Sequence, residues 1–173
     1  MLYSIIYADP PWQYEKGTVP EKLTIEKHYP TMTLEEIKKF NVPSKKNSVC
    51  FLWCTSPKLN EGLEVLKAWN FIYRTCLIWD KKNLGLGHWF RIQHELLLVG
   101  KKGSFPTPPM TQRIRSIYSK KRRNHSEKPD YIRRMIELWY PKFNKIELFA
   151  RHRFEEWDVK GLDAPNESQT RLD

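Results

Sequence analysis

An α/β fold, with a mostly parallel sheet covered by helices, is what this sequence predicts, and two patterns predict it. Short apolar runs alternate with stretches whose apolar residues recur at helical spacing, the order expected when strands and covering helices take turns. Glycine and proline, the residues that break regular structure, gather between these stretches. In chain order, Tyr3 to Ala8 reads as the first strand, followed by a polar, irregular segment from Gln13 to Pro30. Thr33 opens a capping box with Glu36, and Leu34, Ile37 and Phe40 make a helical stripe. Ser48 to Cys54 is a second buried strand. Leu59, Leu63, Leu66 and Trp69 space a second helix, with Pro57 near its first turn. Ile72 to Trp79 and Glu95 to Val99 are two more strands, separated by a loop containing Gly85 and Gly87. Residues Gly103 to His125 are rich in proline, serine and basic residues, with one short edge strand near Ile117. Pro129 to Tyr140 is the clearest helix, carrying Ile132, Met135, Ile136 and Trp139 on one face. Lys145 to Ala150 closes the order as the last strand, and a polar tail begins at about residue 158.

Composition narrows the class of protein. The 173 residues suit one domain with one core, and 40% hydrophobic against 29% charged residues fits a soluble globular chain. Met1 to Ala8 is apolar but too short for a bilayer span, and lacks the flanks of a signal peptide. A cytoplasmic protein with no membrane association is therefore expected. Cys50, Cys54 and Cys76 form no CxxC pair and sit in apolar runs, which favours buried free thiols. Cys50 and Cys54 share a strand face, but neighbouring histidines do not complete a zinc-ligand spacing, so no metal site is expected. The net charge of +10 attracts polyanions, and the interleaved aromatic residues suit bases that stack; solubility and core packing explain the same composition equally simply.

The most informative residues follow the first strand. Asp9-Pro10-Pro11-Trp12 stands where ligands bind in open α/β sheets, beyond the carboxyl end of a strand. Each proline fixes φ and removes a backbone N–H, so the loop is stiff and presents a carboxylate, carbonyls and an indole. An adenine amino group is a poor nucleophile because its lone pair is delocalised into the ring. If Asp9 and the Pro10 carbonyl accept its two hydrogens, the nitrogen can aim that lone pair at a methyl donor while Trp12 stacks on the extruded base. The plain alternative is a Pro-Pro turn with an aspartate cap.

Tyr7-Ala8-Asp9-Pro10-Pro11-Trp12 resembles the signature of the MT-A70 family, which includes the catalytic subunit of the eukaryotic messenger-RNA adenine methyltransferase and compact phage and bacterial enzymes. Further blocks resemble it in order: Tyr29 to Ile37, Phe51-Leu52-Trp53, Gly87-His88-Trp89, Leu98 to Gly103, His125 to Pro129, and Ile146 to Arg151. The resemblance runs from about residue 3 to 157. It implies a Rossmann-like class I methyltransferase fold, an α/β/α sandwich in circularly permuted order with the catalytic strand first and the cofactor strand last. It implies S-adenosylmethionine as cofactor and transfer of its methyl group to the exocyclic N6 amine of adenine in nucleic acid. The likeness to compact phage and bacterial members favours DNA over RNA.

There is no GxGxxG or P-loop, and a sulfonium donor needs neither. It needs partners for a carboxylate, an amine and a ribose. Ser126 and Lys128 head the clearest helix, where an anion is favoured; ordinary N-capping is the alternative. The resemblance implies that this block packs beside the donor, that Lys102 reaches it, and that Glu147, Phe149 and Arg151 border it, together with Asp9. Two positions depart from the family pattern: Gly161-Leu162-Asp163 stands where a Gly-Asn pair is usual, and Ala150 replaces a frequent glycine.

On the substrate side, Arg113, Arg115, Lys120, Lys121, Arg122 and Arg123 form a basic segment suited to phosphates, or else a solvated loop. His88 and Trp89 are candidates for lining the path of the base, and Lys16, Lys22 and Lys27 fall in a segment where a lid would sit. At this length no separate recognition domain is expected, and selectivity would then rest on these loops, a homodimer or a partner subunit. Two competing readings are a non-catalytic nucleic-acid-binding subunit of a methyltransferase complex and a metal-dependent nuclease using Asp9 with Asp80-Lys81-Lys82.

Overall fold

The computed structural model describes residues 1–14, 30–121 and 128–161. Ser126, Arg122, Arg123, Lys16, Lys22 and Lys27 lie outside the described residues. The strands are β1 (Tyr3–Ala8), β2 (Ser44–Thr55), β3 (Ile72–Asp80), β4 (His94–Lys102), β5 (Ile117–Ser119), β6 (Lys145–Leu148) and β7 (Asp158–Lys160). The helices are α1 (Leu34–Lys39), α2 (Leu59–Ala68) and α3 (Asp130–Trp139). The sheet runs β5-β3-β4-β2-β1-β6-β7. Pairing is parallel throughout except on the two sides of β4, which runs against both β2 and β3.

The two faces of this sheet are set by the period-two alternation of the strands. Ile6, Ala8, Cys50, Leu52, Cys54, Leu96 and Leu98 face the helices α1 and α2, meeting Ile37, Val65, Leu66 and Trp69. Ile5, Tyr7, Phe51, Trp53 and Leu97 face α3, meeting Ile132, Met135 and Ile136. The Rossmann-like α/β/α sandwich is thus present. The capping box at Thr33 forms: its side chain accepts from the Glu36 amide, and Glu36 accepts from the Thr33 amide at 2.7 Å. Cys50 and Cys54 are free, buried on the α2 face, and burial pushes the Cys54 thiol up to about 12.

Four boundaries differ from the sequence reading. β2 begins at Ser44, because the Tyr3 amide donates to Pro43 O and Ser44 pairs with Tyr3, extending the strand through exposed polar residues. β4 runs on to Lys102, its pairing with Ser48 carrying it past Val99. β6 stops at Leu148, two residues early, since Phe149 turns the chain in the left-handed region at φ 60. That conformation costs a non-glycine residue about 1–2 kcal/mol, offset here by packing of the Phe149 ring against Phe40 at 4.6 Å and Trp69 at 6.5 Å. Finally, β6 is not the last strand. The polar stretch from residue 158 contains β7, whose residues Asp158 and Lys160 are exposed, so its pairing with β6 is a backbone matter that polarity concealed.

The direction of β4 has a simple cause. A parallel neighbour needs a crossover, usually helical, whereas residues 81–93 form no helix and return the chain directly. Consequently Glu95 and His94 start β4 at the edge where the other strands end, while Lys102 finishes it at the opposite edge, level with Ser48. On this strand Gly100 sits under α2, where an added Cβ would lie 2.8 Å from Phe71 Cβ and 2.9 Å from Leu66 Cδ2. Gly100→Ala is therefore expected to destabilise the protein by about 1–3 kcal/mol through overpacking, read as a lower urea midpoint with an unchanged m-value.

Candidate active site at the carboxyl edge of the sheet

Asp9 leaves β1 beside β6, at the point where neighbouring connections part to opposite faces: α1, which follows β1, lies on one face and α3, which precedes β6, on the other. Such a switch point opens a crevice beyond the strand ends. The loop is locked from below. The Trp12 amide donates to Pro10 O at 2.9 Å, the Met32 amide to Pro11 O at 2.8 Å, and the Trp12 indole N–H to Trp53 O at 3.0 Å. Trp12 is only 7% exposed and packs in the core with Met32 and Ile37. So buried, it offers little surface for the stacking on a base expected from the sequence, and it serves as the wedge that holds the Asp9 turn onto β2.

Asp9 is joined to Lys128, whose Nζ lies 2.8 Å from Asp9 Oδ2 and 3.3 Å from Glu95 Oε2. Lys81 Nζ approaches the other Glu95 oxygen at 3.2 Å. Two lysines and two carboxylates thus form a charge-balanced chain, with Lys128 also 5.7 Å over the Trp53 ring. Burial raises the Asp9 carboxyl above the ordinary aspartate range; Lys128 and Arg151 pull it back only in part, and Glu95 adds to the rise. For Glu95, burial also works upward, but Lys128 and Lys81 together outweigh it and hold the group low. In Lys128, burial disfavours the charge, yet Asp9 and Glu95 overcome it and keep the ammonium protonated well above the usual range. Glu95 was missed by sequence reasoning; the signal was its place at the start of an antiparallel strand, which only the sheet order reveals.

Of the cofactor candidates, Lys128 reaches Asp9, and the charge of Arg151 helps to lower the Asp9 pKa. Lys102 does not. It ends β4 level with Ser48, whereas Ala8 is level with Leu52, so about 13 Å of strand separates them; its Nζ donates to Ser44 Oγ at 3.1 Å. Phe149 points into the core on the α2 face, as described, rather than into the crevice. Glu147 is held by Arg133 through two hydrogen bonds, Nε to Oε2 at 3.0 Å and Nη2 to Oε1 at 3.2 Å. Arg133 is also sandwiched against Phe154, 3.4 Å from the ring centre.

The basic segment divides. Lys120 and Lys121 emerge from β5 at the carboxyl edge, where the Lys120 amide donates to Asp80 O. Arg113 and Arg115 precede β5 and line a cavity of about 310 Å³ under the C-terminal half of α3, with Phe51, Val99 and Trp139, away from Asp9. Residues 81–93, including His88 and Trp89, stand at the carboxyl edge between β3 and β4, and Trp89 is 94% exposed. Asp80 is committed locally: Lys82 Nζ at 2.8 Å and Ser119 Oγ at 3.0 Å hold its carboxyl down to about 2. It forms no pair with Asp9 of the kind a nuclease reading needs.

Comparison with known proteins agrees with this geometry. The family model for MT-A70 matches residues 3–163. The Type II methyltransferase M.MunI of a Mycoplasma species is 36% identical over 183 residues, covering 95% of this chain and 78% of that protein. The human N(6)-adenosine-methyltransferase catalytic subunit METTL3 is 32% identical over 158 residues, 86% of this chain but 26% of the human protein. The N(6)-adenosine-methyltransferase MT-A70-like protein of Arabidopsis thaliana is likewise 32% identical, over 86% of this chain and 22% of its own length.

The Arg133–Glu147 pair yields a stability test. Arg133→Met leaves a buried carboxylate unpaired and is expected to cost about 3–5 kcal/mol at neutral pH. The Glu147 carboxyl is already raised, chiefly by burial, with Arg133 opposing. Losing Arg133 raises it further, so the variant should regain stability as pH falls through that raised value toward the unfolded value of about 4.3. Urea denaturation across pH reads both effects.

Proposed function

This chain belongs to the MT-A70 family, and on that footing we propose that it methylates the exocyclic N6 amine of adenine in nucleic acid, using S-adenosylmethionine, with DNA as the substrate. The observation that carries the reading is Asp9, held beside Lys128 at 2.8 Å on a turn that Trp12 and two prolines keep rigid. DNA is favoured because kinship with the bacterial Type II methyltransferase spans most of both chains, whereas the N(6)-adenosine-methyltransferases are matched over about a quarter of their length.

The residues suit the group. A sulfonium donor supplies an electrophilic methyl carbon and brings an amino-acid carboxylate, an amine and a ribose. Beside the crevice, Arg151 and Lys128 offer cations for the carboxylate, and Asp9 an acceptor for the amine or the target base. Ser126 belongs to the same block in sequence. Glu147, committed to Arg133, shapes the crevice wall at the end of β6.

Asp9 accepts one hydrogen of the adenine amine. Pro10 O already takes the Trp12 amide and has a second lone pair for the other hydrogen. So held, the nitrogen would have its lone pair free for the electrophilic methyl carbon that a bound donor would supply. The surplus proton would leave through Asp9, whose raised pKa suits it to carry one briefly. Lys128 keeps that carboxylate oriented. Trp89, exposed on its loop, is the indole available to meet an extruded base, the part first given to Trp12.

Labelled methyl donor with adenine-containing DNA and RNA oligonucleotides tests the reading. Asp9→Ala is expected to lower kcat by about a hundredfold or more; label transfer unaffected by that change would remove Asp9 from the mechanism. No transfer to any oligonucleotide, with donor binding intact, would instead support the non-catalytic subunit. The pH profile gives a second check. Activity needs ionised Asp9, so its acid limb should lie above the ordinary aspartate range, and Lys128→Met, which removes the cation lowering that pKa, should move the limb to higher pH.

A further inference from the structure

We infer that Tyr118 and Tyr131 form a stacking platform for a second nucleobase, a few nucleotides from the target adenine on the same strand. This rests on the reading of the chain as a nucleic-acid methyltransferase.

The two rings stack with centroids 4.9 Å apart and planes 9° from parallel, one from the edge strand β5 and one from the first turn of α3. Tyr131 remains 45% exposed although one of its faces lies against Tyr118. Tyr131 thus keeps much of its surface open to solvent beside the stacked pair. An exposed tyrosine already parallel to a second ring suits a base, since such stacking is tolerant of base identity.

Charge around the rings fits a strand rather than an isolated aromatic ligand. Lys120 and Lys121 follow Tyr118 after one serine and are exposed, and Arg134, one helical turn beyond Tyr131 on α3, is exposed as well. Among the described residues, Asp130 is engaged with Arg133, and Asp80 with Lys82 and Ser119. Cations beside an open aromatic ring are the pairing that tracks a sugar-phosphate backbone and holds its bases.

Position ties the platform to the reaction centre. Tyr118 is level with Trp79 on β3, which meets Trp53 edge-on at 6.0 Å, and Trp53 lies under Lys128, the partner of Asp9. Tyr131 follows Lys128 by three residues. The platform's strand β5 lies four strands from β1, about 19 Å across the sheet, a distance that a short run of nucleotides spans.

The test uses the shortest oligonucleotide that the wild-type protein methylates, with an abasic site walked through the positions flanking the target. Binding is read by fluorescence anisotropy and turnover by labelled donor. At one flanking position, loss of the base should weaken wild-type binding by about tenfold. Tyr131→Ala should show that loss with the intact oligonucleotide and no further loss with the abasic one. Tyr131→Phe, which keeps the ring, should behave as wild type. Abasic losses of equal size in wild type and Tyr131→Ala, in a protein that still methylates, would overturn the platform and leave the methyltransferase reading standing. Failure of the wild type to methylate any oligonucleotide would remove both.

Discussion

A buried ammonium shared by two carboxylates organises this molecule. Lys128, Asp9 and Glu95 come from the start of α3, the end of β1 and the start of β4, and their side chains are 13%, 22% and 14% exposed. Charges so shielded are costly unless paired, so the three elements must arrive together for any of them to be tolerated. Lys81 completes the balance from the far side of Glu95. The same electrostatics separate the two acids: at Glu95 Lys128 and Lys81 outweigh burial and hold the group low, while at Asp9 burial outweighs Lys128 and Arg151 and leaves the group raised.

The frame around this network is built largely on indoles. Trp12 donates to Trp53 O, Trp53 to Tyr7 Oη, Trp69 to Ile37 O, Trp79 to Lys120 O, Trp139 to Gln112 O and Trp157 to Glu137 Oε1. Each brings a large apolar ring into the core and ties its polar end to a different segment. That division of labour separates the tryptophans by role. Six hold the scaffold, and Trp89, 94% exposed on the loop between β3 and β4, stands outside it. An exposed ring and a ring committed to the fold have the same letter in a sequence, and only the destination of the N–H and the burial of the ring tell them apart.

Much of the fold was nonetheless legible. The capping box at Thr33, the apolar stripe of α3 and the apolar runs of β1 and β2 are local signals, and the elements they predict are present. Boundaries failed where a distant partner decided them. Phe149 leaves β6 because Phe40 and Trp69 receive its ring, and β7 forms because β6 offers a hydrogen-bonding edge to a polar segment. The candidate site was legible to the same extent. Asp9 and Lys128 are recognisable by motif, but Lys102, on a strand whose direction the sequence did not reveal, was placed at the wrong edge, and Glu95 was overlooked for the same reason.

What the residues alone determined is therefore the chemistry on offer: an α/β chain of +10 charge, with a rigid aspartate turn after its first strand and a lysine ahead of its clearest helix. What only the tertiary structure decided is which of these groups meet. Strand order and the reversal of β4 set the company each charge keeps, and a carboxylate's reactivity depends on its burial and neighbouring charges, neither of which is a property of its own place in the chain.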